Sequence, residues 1–347
     1  MDAFDKFNRI KSRAQEIIVE EELLSLLSNN ERPRAYIGFE PSGLLHVGNF
    51  LLTSSMINTM LDCNFDVTVL LADWHAYIND KLGGDMERIR QCGEYMRASF
   101  NYACREHGNI NFLFASDLLS KKEYLEELIR NAKRVSLSRL KRSLTIMGRT
   151  EDEAELDFSK LVYPLMQVTD IFMLDVNVAY AGMDQRRAHM LAREIAEQSK
   201  RAKPIAVHTP ILSSLKGGSR MDPLSKMSKS DPSGAIYLQD DEETIASKLR
   251  NAFCPKEVEG NPVLDICKYL IFPELGSLEI VRSEKHGGNV LFSDYLELQS
   301  SYLRGGVHPL DLKTSVASAL WKIVKKYHDF YASNPSLFDW MEGGITR

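Results

Sequence analysis

The sequence predicts an α/β fold built on a parallel sheet and followed by a smaller helical domain, and three observations support this prediction. Residues 66–73 are apolar on both faces, as expected for a strand at the centre of a parallel sheet. Helical stretches separate the candidate strands, which is typical of right-handed β-α-β connections. After about residue 240 little strand signal remains, so we expect the chain to enter a helical domain near residues 232–242.

The elements of the first domain follow from hydrophobic periodicity and from the residues that interrupt it. Residues 1–30 are predicted to be helical, because leucine and isoleucine recur there among glutamate and arginine. Residues 35–39 are predicted to form a short strand, and an apolar helix is predicted over residues 47–61. Two further strand candidates cover residues 110–115 and 174–180.

The helical domain is predicted from apolar residues at helical spacing. Ile245, Leu249 and Phe253 share one face of a first helix. A second, longer helix carries the apolar set Leu312, Val316, Ala319, Leu320, Ile323, Val324 and Tyr327. We therefore expect the last hundred residues to be mainly α-helical.

Composition and charge exclude several classes of protein. The 347 residues carry 43 Lys and Arg against 48 Asp and Glu, so bulk charge does not indicate nucleic-acid binding, and any such partner would meet a local patch. Apolar runs are too short to span a bilayer, and the first residues lack a cationic segment followed by an apolar one, so we expect neither membrane insertion nor secretion. Five cysteines without a close C-x-x-C pair argue against a disulfide framework or a thiolate zinc site, and they fit a reducing compartment.

The first candidate functional segment is Pro41-Ser42-Gly43-Leu44-Leu45-His46-Val47-Gly48-Asn49, between a predicted strand and a predicted helix. A helix N-terminus offers free backbone N–H groups and the positive end of the helix dipole, which suits a polyphosphate. Gly48 lets a nucleotide approach the backbone, and His46 can donate a hydrogen bond to a phosphate. The alternative is a simple helix cap with tight packing.

The second segment is Lys226-Met227-Ser228-Lys229-Ser230, in a loop that contains Gly217-Gly218 and Pro223 and ends at Asp231-Pro232. Two lysines three residues apart can hold a pyrophosphate that gains charge as it leaves, and the hydroxyls can donate hydrogen bonds to it. A flexible loop also permits closure over a bound nucleotide. The alternative is an ordinary solvated loop.

Together, the two segments, about 180 residues apart, resemble the signature motifs of class I aminoacyl-tRNA synthetases. Three segments resemble tyrosyl-tRNA synthetases of the archaeal and eukaryotic cytoplasmic type: Tyr36-Ile37-Gly38-Phe39-Glu40-Pro41-Ser42-Gly43, Tyr163-Pro164-Leu165-Met166-Gln167-Val168-Thr169-Asp170 and Ala181-Gly182-Met183-Asp184-Gln185-Arg186. The resemblance extends from about residue 8 to about residue 330. It implies a Rossmann-like catalytic domain over residues 1–235, with a helical insertion at about 116–150, and an α-helical anticodon-binding domain over residues 236–347.

The resemblance implies a tyrosine-binding site. Tyr36 and Asp170 match the pair that binds the phenol hydroxyl of the substrate, and phenylalanine would leave that buried polar pair without a partner. Tyr163, Gln167 and Gln185 match residues around the α-amino and carboxylate groups. Residues 163, 167 and 170 are spaced to lie on one helix face. An ordinary amphipathic helix with a polar face is the alternative for these three.

The resemblance also implies an ATP site. The matching residues are Gly38, His46, Gly48, Asn49, Gly182, Asp184, Lys226, Met227, Ser228 and Lys229. The catalytic groups would be His46, Asn49, Lys226, Lys229 and Ser230. Asn49 is a departure, because many family members have histidine there, and asparagine can donate a hydrogen bond but cannot carry charge. Mg²⁺ is expected to accompany ATP, held mainly by the phosphates, and no tightly bound protein metal is expected.

Candidate tRNA contacts fall in two places. Residues 130–149 carry seven basic residues and no acidic one, and an apolar helical seam there would place Arg130, Lys133, Arg134 and Lys141 near one face. The family uses this insertion for the dimer interface and for the tRNA acceptor arm, whereas a solvated basic helix is the alternative. His286, His308 and Asp311 match the anticodon-reading positions, with rings that stack on bases and a carboxylate that accepts from guanine. A plain helix start is the alternative for residues 309–311.

The resemblance therefore implies activation of L-tyrosine by ATP, followed by transfer of tyrosine to tRNA(Tyr), by a cytoplasmic homodimer. Three other functions remain open at this point. A tryptophanyl-tRNA synthetase shares both motifs, but indole offers no hydroxyl for Tyr36 and Asp170. A small-molecule nucleotidyltransferase would not need the RNA-reading segment, and a non-catalytic RNA-binding relative would not need an intact tyrosine site.

Overall fold

The computed structural model describes residues 1–104, 109–147, 157–217, 226–227 and 231–341. The chain divides into two compact units. The sheet unit comprises Met1–Gly43, Thr53–Pro210 and the described residues from Leu337 on, and the helical unit comprises Leu44–Leu52 and Ile211–Ser336. The functional boundary near residue 235 stays a prediction.

The sheet unit is built on a six-stranded sheet with the order β1-β6-β5-β2-β3-β4. Its strands are β1 (Glu16–Ile18), β2 (Arg34–Phe39), β3 (Asp66–Leu71), β4 (Asn109–Phe114), β5 (Val178–Gly182) and β6 (Ile205–Thr209). All neighbours pair in parallel except β1, which pairs antiparallel with β6. The prediction of an α/β fold with a parallel sheet is therefore confirmed.

The strand order reverses at β2, because β3 and β4 extend the sheet on one side of it while β5 and β6 extend the other. In open α/β sheets such a reversal leaves a crevice at the carboxyl ends of the strands, where ligands bind. Glu40 follows β2, Asp73 to His75 follow β3, and Gln185 follows β5. The topology therefore brings polar residues from three separate segments to one edge of the sheet.

Helices flank these strands. They are α1 (Ala3–Arg13), α2 (Glu20–Asn29), α3 (Val47–Asp62), α4 (Asp73–Ile78), α5 (Met86–Ala103), α6 (Ala115–Leu119), α7 (Lys122–Ala132), α8 (Leu137–Lys141), α9 (Phe158–Met173) and α10 (Arg186–Gln198). A buried apolar cluster joins α9 and α10 to the sheet through Val168, Ile171, Ala179 and Leu191. Tyr36 of β2 belongs to the same cluster, so this core fixes the position of a predicted site residue.

Several sequence predictions of the first 200 residues are confirmed and others are wrong. The strand over 35–39 and the helix over 47–61 are confirmed as β2 and α3. The single helix over 1–30 is wrong, because β1 interrupts it and pairs with β6, a strand that the sequence analysis did not find. The candidate at 174–180 is displaced, since α9 continues to Met173 and β5 begins at Val178.

The basic stretch after residue 130 does not form one helix. Helix α7 ends at Ala132, Ser136 caps α8, and a short 3-10 turn over Leu144–Met147 follows. Leu137 is exposed, whereas Leu140 and Leu144 are buried, so the expected apolar seam is broken. The four basic residues of the predicted stripe therefore lie on two helices and the turn that joins them.

The helical unit is mainly α-helical, as predicted. Its helices are α11 (Glu242–Asn251), α12 (Pro262–Ile266), α13 (Phe272–Leu275), α14 (Tyr295–Leu303) and α15 (Pro309–Ala332), with a π-helical turn at Cys267–Ile271. Helix α15 buries every apolar residue predicted for it. The sequence analysis missed a short hairpin of β7 (Leu278–Ile280) and β8 (Val290–Phe292), and Phe253 lies exposed beyond the end of α11.

Among the described residues, no helix has the length and apolar character required to cross a membrane. All five cysteines are free thiols.

Candidate active site

The phenol end of the candidate tyrosine pocket is centred on Asp170 in α9. The Tyr124 hydroxyl donates to Asp170 Oδ1 at 2.7 Å, and His75 Nε2 lies 3.1 Å from Asp170 Oδ2. Tyr36, from the neighbouring strand β2, is 2% exposed, and Asp170 is 1% exposed. The structure therefore places Tyr36 and Asp170 in one buried polar cluster, together with two residues that the sequence analysis had not selected.

The close approach of these groups shifts their pKa values. Burial and then the charge of Asp170 raise the pKa of Tyr36 well above its usual value, and the same two causes raise the pKa of Tyr124. Burial lowers the pKa of His75, but the charges of Asp170, Glu40 and Asp73 outweigh it and raise this pKa overall. The phenols therefore stay neutral donors at physiological pH.

Gly38 leaves the space that the Tyr36 side chain occupies. Residues two apart on a strand lie on the same face, so residues 36 and 38 share a face of β2. A Cβ atom at residue 38 would lie 2.9 Å from the Tyr36 hydroxyl oxygen. A larger residue at this position would displace that hydroxyl from the pocket.

Glu40 lies at the opposite end of the candidate pocket, where several polar side chains contact its carboxylate. The Tyr163 hydroxyl donates to Glu40 Oε1 at 2.6 Å, the Asn79 amide donates to the same oxygen at 3.1 Å, and Lys81 Nζ lies 4.0 Å from Glu40 Oε2. Burial and the charge of Glu40 raise the pKa of Tyr163. A carboxylate surrounded by donors, open to one more positive group, is suited to an α-ammonium group.

Gln167 and Gln185 also meet at this end. The Gln167 amide donates to Gln185 Oε1 at 3.4 Å, and the Gln185 amide donates to the carbonyl oxygen of Ile146 at 3.0 Å. The spacing of residues 163, 167 and 170 therefore places all three on the pocket side of α9, as expected. Gln185 ends the 3-10 turn Met183–Gln185 that follows β5, and Gly182 and Asp184 lie in the same short segment.

In the helical unit, the first signature segment forms a capped helix start. The backbone N–H of Val47 donates to the carbonyl oxygen of Ile236 at 2.9 Å, and His46 pairs with Tyr237 in an isolated antiparallel β-bridge. Asn49 Oδ1 accepts from the backbone N–H of His46 at 3.1 Å, which closes the first turn of α3. The asparagine that departs from the family pattern therefore uses its oxygen as a cap.

The two signature segments contact each other within the helical unit. A Cβ atom on Gly48 would lie 3.1 Å from Met227 Sδ and 3.2 Å from His46 Nδ1, so a larger residue would require these side chains to shift. Met227 is 4% exposed and its N–H donates to the carbonyl oxygen of Leu212 at 2.9 Å. Lys226 is held beside Ser213 in an isolated bridge. Ser228, Lys229 and Ser230 lie outside the described residues.

The candidate anticodon residues lie on exposed segments of the helical unit. His308 caps α15, its Nδ1 accepting from the Leu310 N–H at 3.2 Å, which is the helix start that the alternative interpretation expected. Arg282 donates to the carbonyl oxygens of Gly288 and Gly306, both at 2.7 Å. This arginine ties the segment that carries His286 to the one that precedes His308, and Asp311 follows in the first turn of α15.

The basic residues of the insertion are mostly at the surface. Arg130 and Lys133 lie exposed at the end of α7, Lys141 lies exposed at the end of α8, and Arg134 Nη1 donates to the carbonyl oxygen of Arg130 at 2.8 Å. Arg130 also lies 3.7 Å from Glu126. Their exposure is compatible with phosphate contacts.

Sequence reasoning missed Glu40, His75 and Tyr124. Glu40 lies inside a segment that carried the resemblance, so its place directly after β2 was a usable signal. His75 also follows a predicted strand, which marks the carboxyl edge of a parallel sheet. Tyr124 had no signal, because its partner lies 46 residues further along the chain. Among the described residues, no group of three or more His, Cys, Asp or Glu side chains is arranged to hold a metal ion.

Comparison with known proteins agrees with this geometry. Residues 28–325 match the family model for class I tRNA synthetases (W and Y). A tyrosine–tRNA ligase of Picrophilus torridus is 50% identical over 326 residues, 93% of this chain and 97% of the relative. The crystal structure of the tyrosyl-tRNA synthetase of Aeropyrum pernix is 43% identical with a TM-score of 0.89 over 100% of both chains. That of the Pyrococcus horikoshii tyrosyl-tRNA synthetase, complexed with L-tyrosine, is 37% identical with a TM-score of 0.92, covering 98% of this chain and 99% of the other. The chain therefore belongs to the tyrosyl-tRNA synthetases, within the class I tRNA synthetases.

Proposed function

We propose that the chain is a tyrosine–tRNA ligase. It activates L-tyrosine with ATP to tyrosyl-adenylate and pyrophosphate, then transfers tyrosine to the 3′-terminal ribose of tRNA(Tyr). The observation that carries this proposal is the buried cluster of Tyr36 and Asp170, because a phenol hydroxyl is the ligand that satisfies it. Indole has no hydroxyl for these groups, which argues against tryptophan as the substrate.

The tyrosine pocket orients the substrate from both ends. Tyr36 and Asp170 hold the phenol hydroxyl, while Glu40, Tyr163 and the Gln167–Gln185 pair receive the amino acid head group. The carboxylate of tyrosine then attacks the α-phosphorus of ATP, and the bond to the pyrophosphate oxygen breaks. Neither this step nor the transfer needs a strong protein base, so positioning and charge stabilisation supply the catalysis.

The signature segments serve the nucleotide. His46 and Asn49 would contact the phosphates from the helix start, with Lys226, Lys229 and Ser230 on the leaving pyrophosphate. Gly38, Gly48, Gly182, Asp184, Met227 and Ser228 would complete the ATP site. The contact of Gly48 with Met227 supports a shared site for both segments. Mg²⁺ accompanies ATP, held mainly by the phosphates.

The tRNA would be contacted at both units. Arg130, Lys133, Arg134 and Lys141 would meet the phosphates of the acceptor arm, whereas His286, His308 and Asp311 would read the anticodon bases. Leu125 and Ile129 share one face of α7 and are 61% and 54% exposed, which supports a homodimer through the insertion. We expect the enzyme to act in the cytoplasm, where charged tRNA is consumed.

Exchange of pyrophosphate into ATP tests the proposal, with tyrosine, tryptophan and phenylalanine run in parallel. Exchange with tyrosine alone supports the activation step and the role of Tyr36 and Asp170, whereas exchange with tryptophan contradicts the substrate assignment. Lys229→Ala is expected to lower the exchange rate strongly and to leave tyrosine affinity nearly unchanged. An unchanged exchange rate in that variant would contradict the role of the second segment.

A further inference from the structure

Asp170 has a protein neighbour at each carboxylate oxygen, a hydrogen-bond donor at Oδ1 and the His75 ring at Oδ2. Tyr124 donates to Oδ1 at 2.7 Å, and His75 Nε2 lies 3.1 Å from Oδ2. The side chains of His75 and Asp170 are only 3% and 1% exposed. A carboxylate buried this deeply stays ionised only where donors or a positive group compensate for lost water, so these contacts decide what Asp170 can do.

The contact of His75 with Asp170 is an ion-pair contact by distance, because among the described residues neither Nε2 nor Oδ2 has a partner in hydrogen-bond geometry. The other groups that face His75 are the carboxylates of Glu40 and Asp73 and the edge-on ring of Tyr163, whose centroid is 4.9 Å away. Arg90 Nε lies 3.6 Å from Asp73 Oδ2. Acidic neighbours therefore dominate the surroundings of the ring, which favours its protonated form.

We propose that His75 is a positioning residue for tyrosine specificity. Its Nε2 lies 3.1 Å from Oδ2, and the ring thereby orients the Asp170 carboxylate towards the phenol hydroxyl. The inference rests on the proposed role of Asp170, and it goes further because neither the motifs nor the resemblance gave His75 a part. His75 does not touch the reacting atoms, since it acts through Asp170.

The consequence concerns the choice between tyrosine and phenylalanine. An ionised Asp170 loses its partner when phenylalanine binds, which penalises that substrate. Without His75 the carboxylate can rotate away from the phenol site, and a displaced carboxylate penalises phenylalanine less. A general disturbance of the pocket, for example through the Tyr163 ring, would weaken both substrates alike. The ratio of kcat/KM for tyrosine over phenylalanine therefore separates specificity from structural damage.

His75→Gln and His75→Asn form a matched pair. Both side chains are neutral amides, but the Gln amide nitrogen can reach the position of Nε2, whereas the Asn nitrogen reaches only that of Nδ1. His189→Asn is the control, since His189 is equally buried and contacts His208 rather than Asp170. Pyrophosphate exchange would give kcat and KM for both amino acids in each variant.

His75→Asn is expected to lower the tyrosine-over-phenylalanine ratio by about 10- to 100-fold, because the displaced carboxylate would weaken its hydrogen bond with the phenol hydroxyl, and mainly through KM for tyrosine. His75→Gln and His189→Asn should stay within a few-fold of the wild-type ratio. An unchanged ratio in His75→Asn, or an equal loss in His75→Gln, overturns the role of His75. Asp170→Asn distinguishes a failure of the His75 inference from a failure of the proposed function. An unchanged tyrosine-over-phenylalanine ratio in Asp170→Asn would disprove the tyrosine site itself, and the role of His75 with it.

Discussion

Two buried histidines of the sheet unit, His75 and His208, each lie beside a carboxylate, and they have opposite protonation behaviour. His75 Nε2 lies 3.1 Å from Asp170, and the pKa of His75 is raised overall, although burial lowers it. His208 Nδ1 lies 3.0 Å from Glu16 Oε2, yet burial lowers the pKa of His208 despite that carboxylate. Distance to the carboxylate is therefore not the quantity that distinguishes the two pairs.

The neighbours of each pair explain the difference. His75 also faces Glu40 and Asp73, which add negative charge. His208 Nε2 instead lies 3.0 Å from His189 Nδ1, and Arg186 Nε donates to Glu16 Oε2 at 2.8 Å. Burial, with a smaller contribution from His208, lowers the pKa of His189 to about 3. The comparison teaches that a second cation or imidazole can cancel the effect of one carboxylate on a buried histidine. The His75 ring can therefore carry a charge at the site, while the His208 ring remains neutral beside an ionised Glu16.

Asp170→Asn breaks the charged pair and is expected to have the largest effect. The amide can still accept from Tyr124, but it has no charge to offer to His75 or to the substrate hydroxyl. We expect kcat/KM for tyrosine in pyrophosphate exchange to fall by about 10²- to 10³-fold, because a buried charge left without its partner costs several kcal/mol. A fall of less than about three-fold would contradict a charged pair at the phenol end.

His189 is expected to make the protein sensitive to acid. Below pH 6.5 the unfolded chain binds a proton at this residue that the folded protein takes up only near its pKa of about 3. The free energy of unfolding should therefore fall with pH by up to about 1.4 kcal/mol per unit, or about 2 kcal/mol from pH 6.5 to pH 5. His75 has the opposite sign, because its raised pKa gives stability that is complete below pH 6.5 and is lost as the pH rises through that pKa.

Urea unfolding at pH 7.5 and pH 5 measures this effect. His189→Asn keeps a polar group towards His208 but cannot take up the proton, so its stability should depend less on pH than that of the wild type. Equal losses of stability in both proteins would show that His189 is not the acid-sensitive group.

Glu16→Gln sharpens the comparison at the pair whose imidazole is neutral. Burial raises the pKa of Glu16, but Arg186 and His208 lower it overall. The pairing of Glu16 therefore stabilises the fold fully above about pH 4.5, and this stabilisation is lost as the pH falls through the lowered pKa. We expect a loss of about 1 kcal/mol at pH 7, typical of one hydrogen bond to a charged group. Glu20→Gln, which removes the exposed pair with Lys11, serves as the control and should change stability by less than about 0.5 kcal/mol. Equal losses in the two variants by thermal unfolding would argue against a special role of Glu16.

Tyr124→Phe is expected to have the smallest effect. It removes the hydrogen-bond donor at Asp170 Oδ1 but leaves the His75 ring 3.1 Å from Oδ2, so we expect the carboxylate to keep most of its orientation. KM for tyrosine in pyrophosphate exchange should rise only a few-fold. A rise above 100-fold would assign to Tyr124 the positioning role that we infer for His75.

The sequence predicted the large elements and the local motifs better than the contacts between them. Strand β3 and helix α15 were recognisable because long apolar patterns mark them. Strand β1 was missed, because three residues are too few to show a period and its stability comes from pairing with β6 about 190 residues away. The break between α7 and α8 carries neither Gly nor Pro, and Ser136 was its main local sign.

The candidate site shows the same division. Tyr36, Gln167 and Asp170 were found through local motifs, and the structure places them in one pocket. His75 was not found, because Asp73-Trp74-His75 has the pattern of an ordinary helix start and its partner Asp170 lies 95 positions later. A pairing of this kind depends on the tertiary fold, which no local pattern in the sequence records.

The charge state of His75 compared with His189 tests the account most directly. Spectra of protein with ¹⁵N-labelled histidine, recorded at pH 6.5 and assigned with His75→Gln and His189→Asn, report how many protons each ring carries. We expect His75 to be mostly the doubly protonated cation and His189 to be neutral, with a single protonated nitrogen. A neutral His75 at that pH would contradict the charged pair with Asp170.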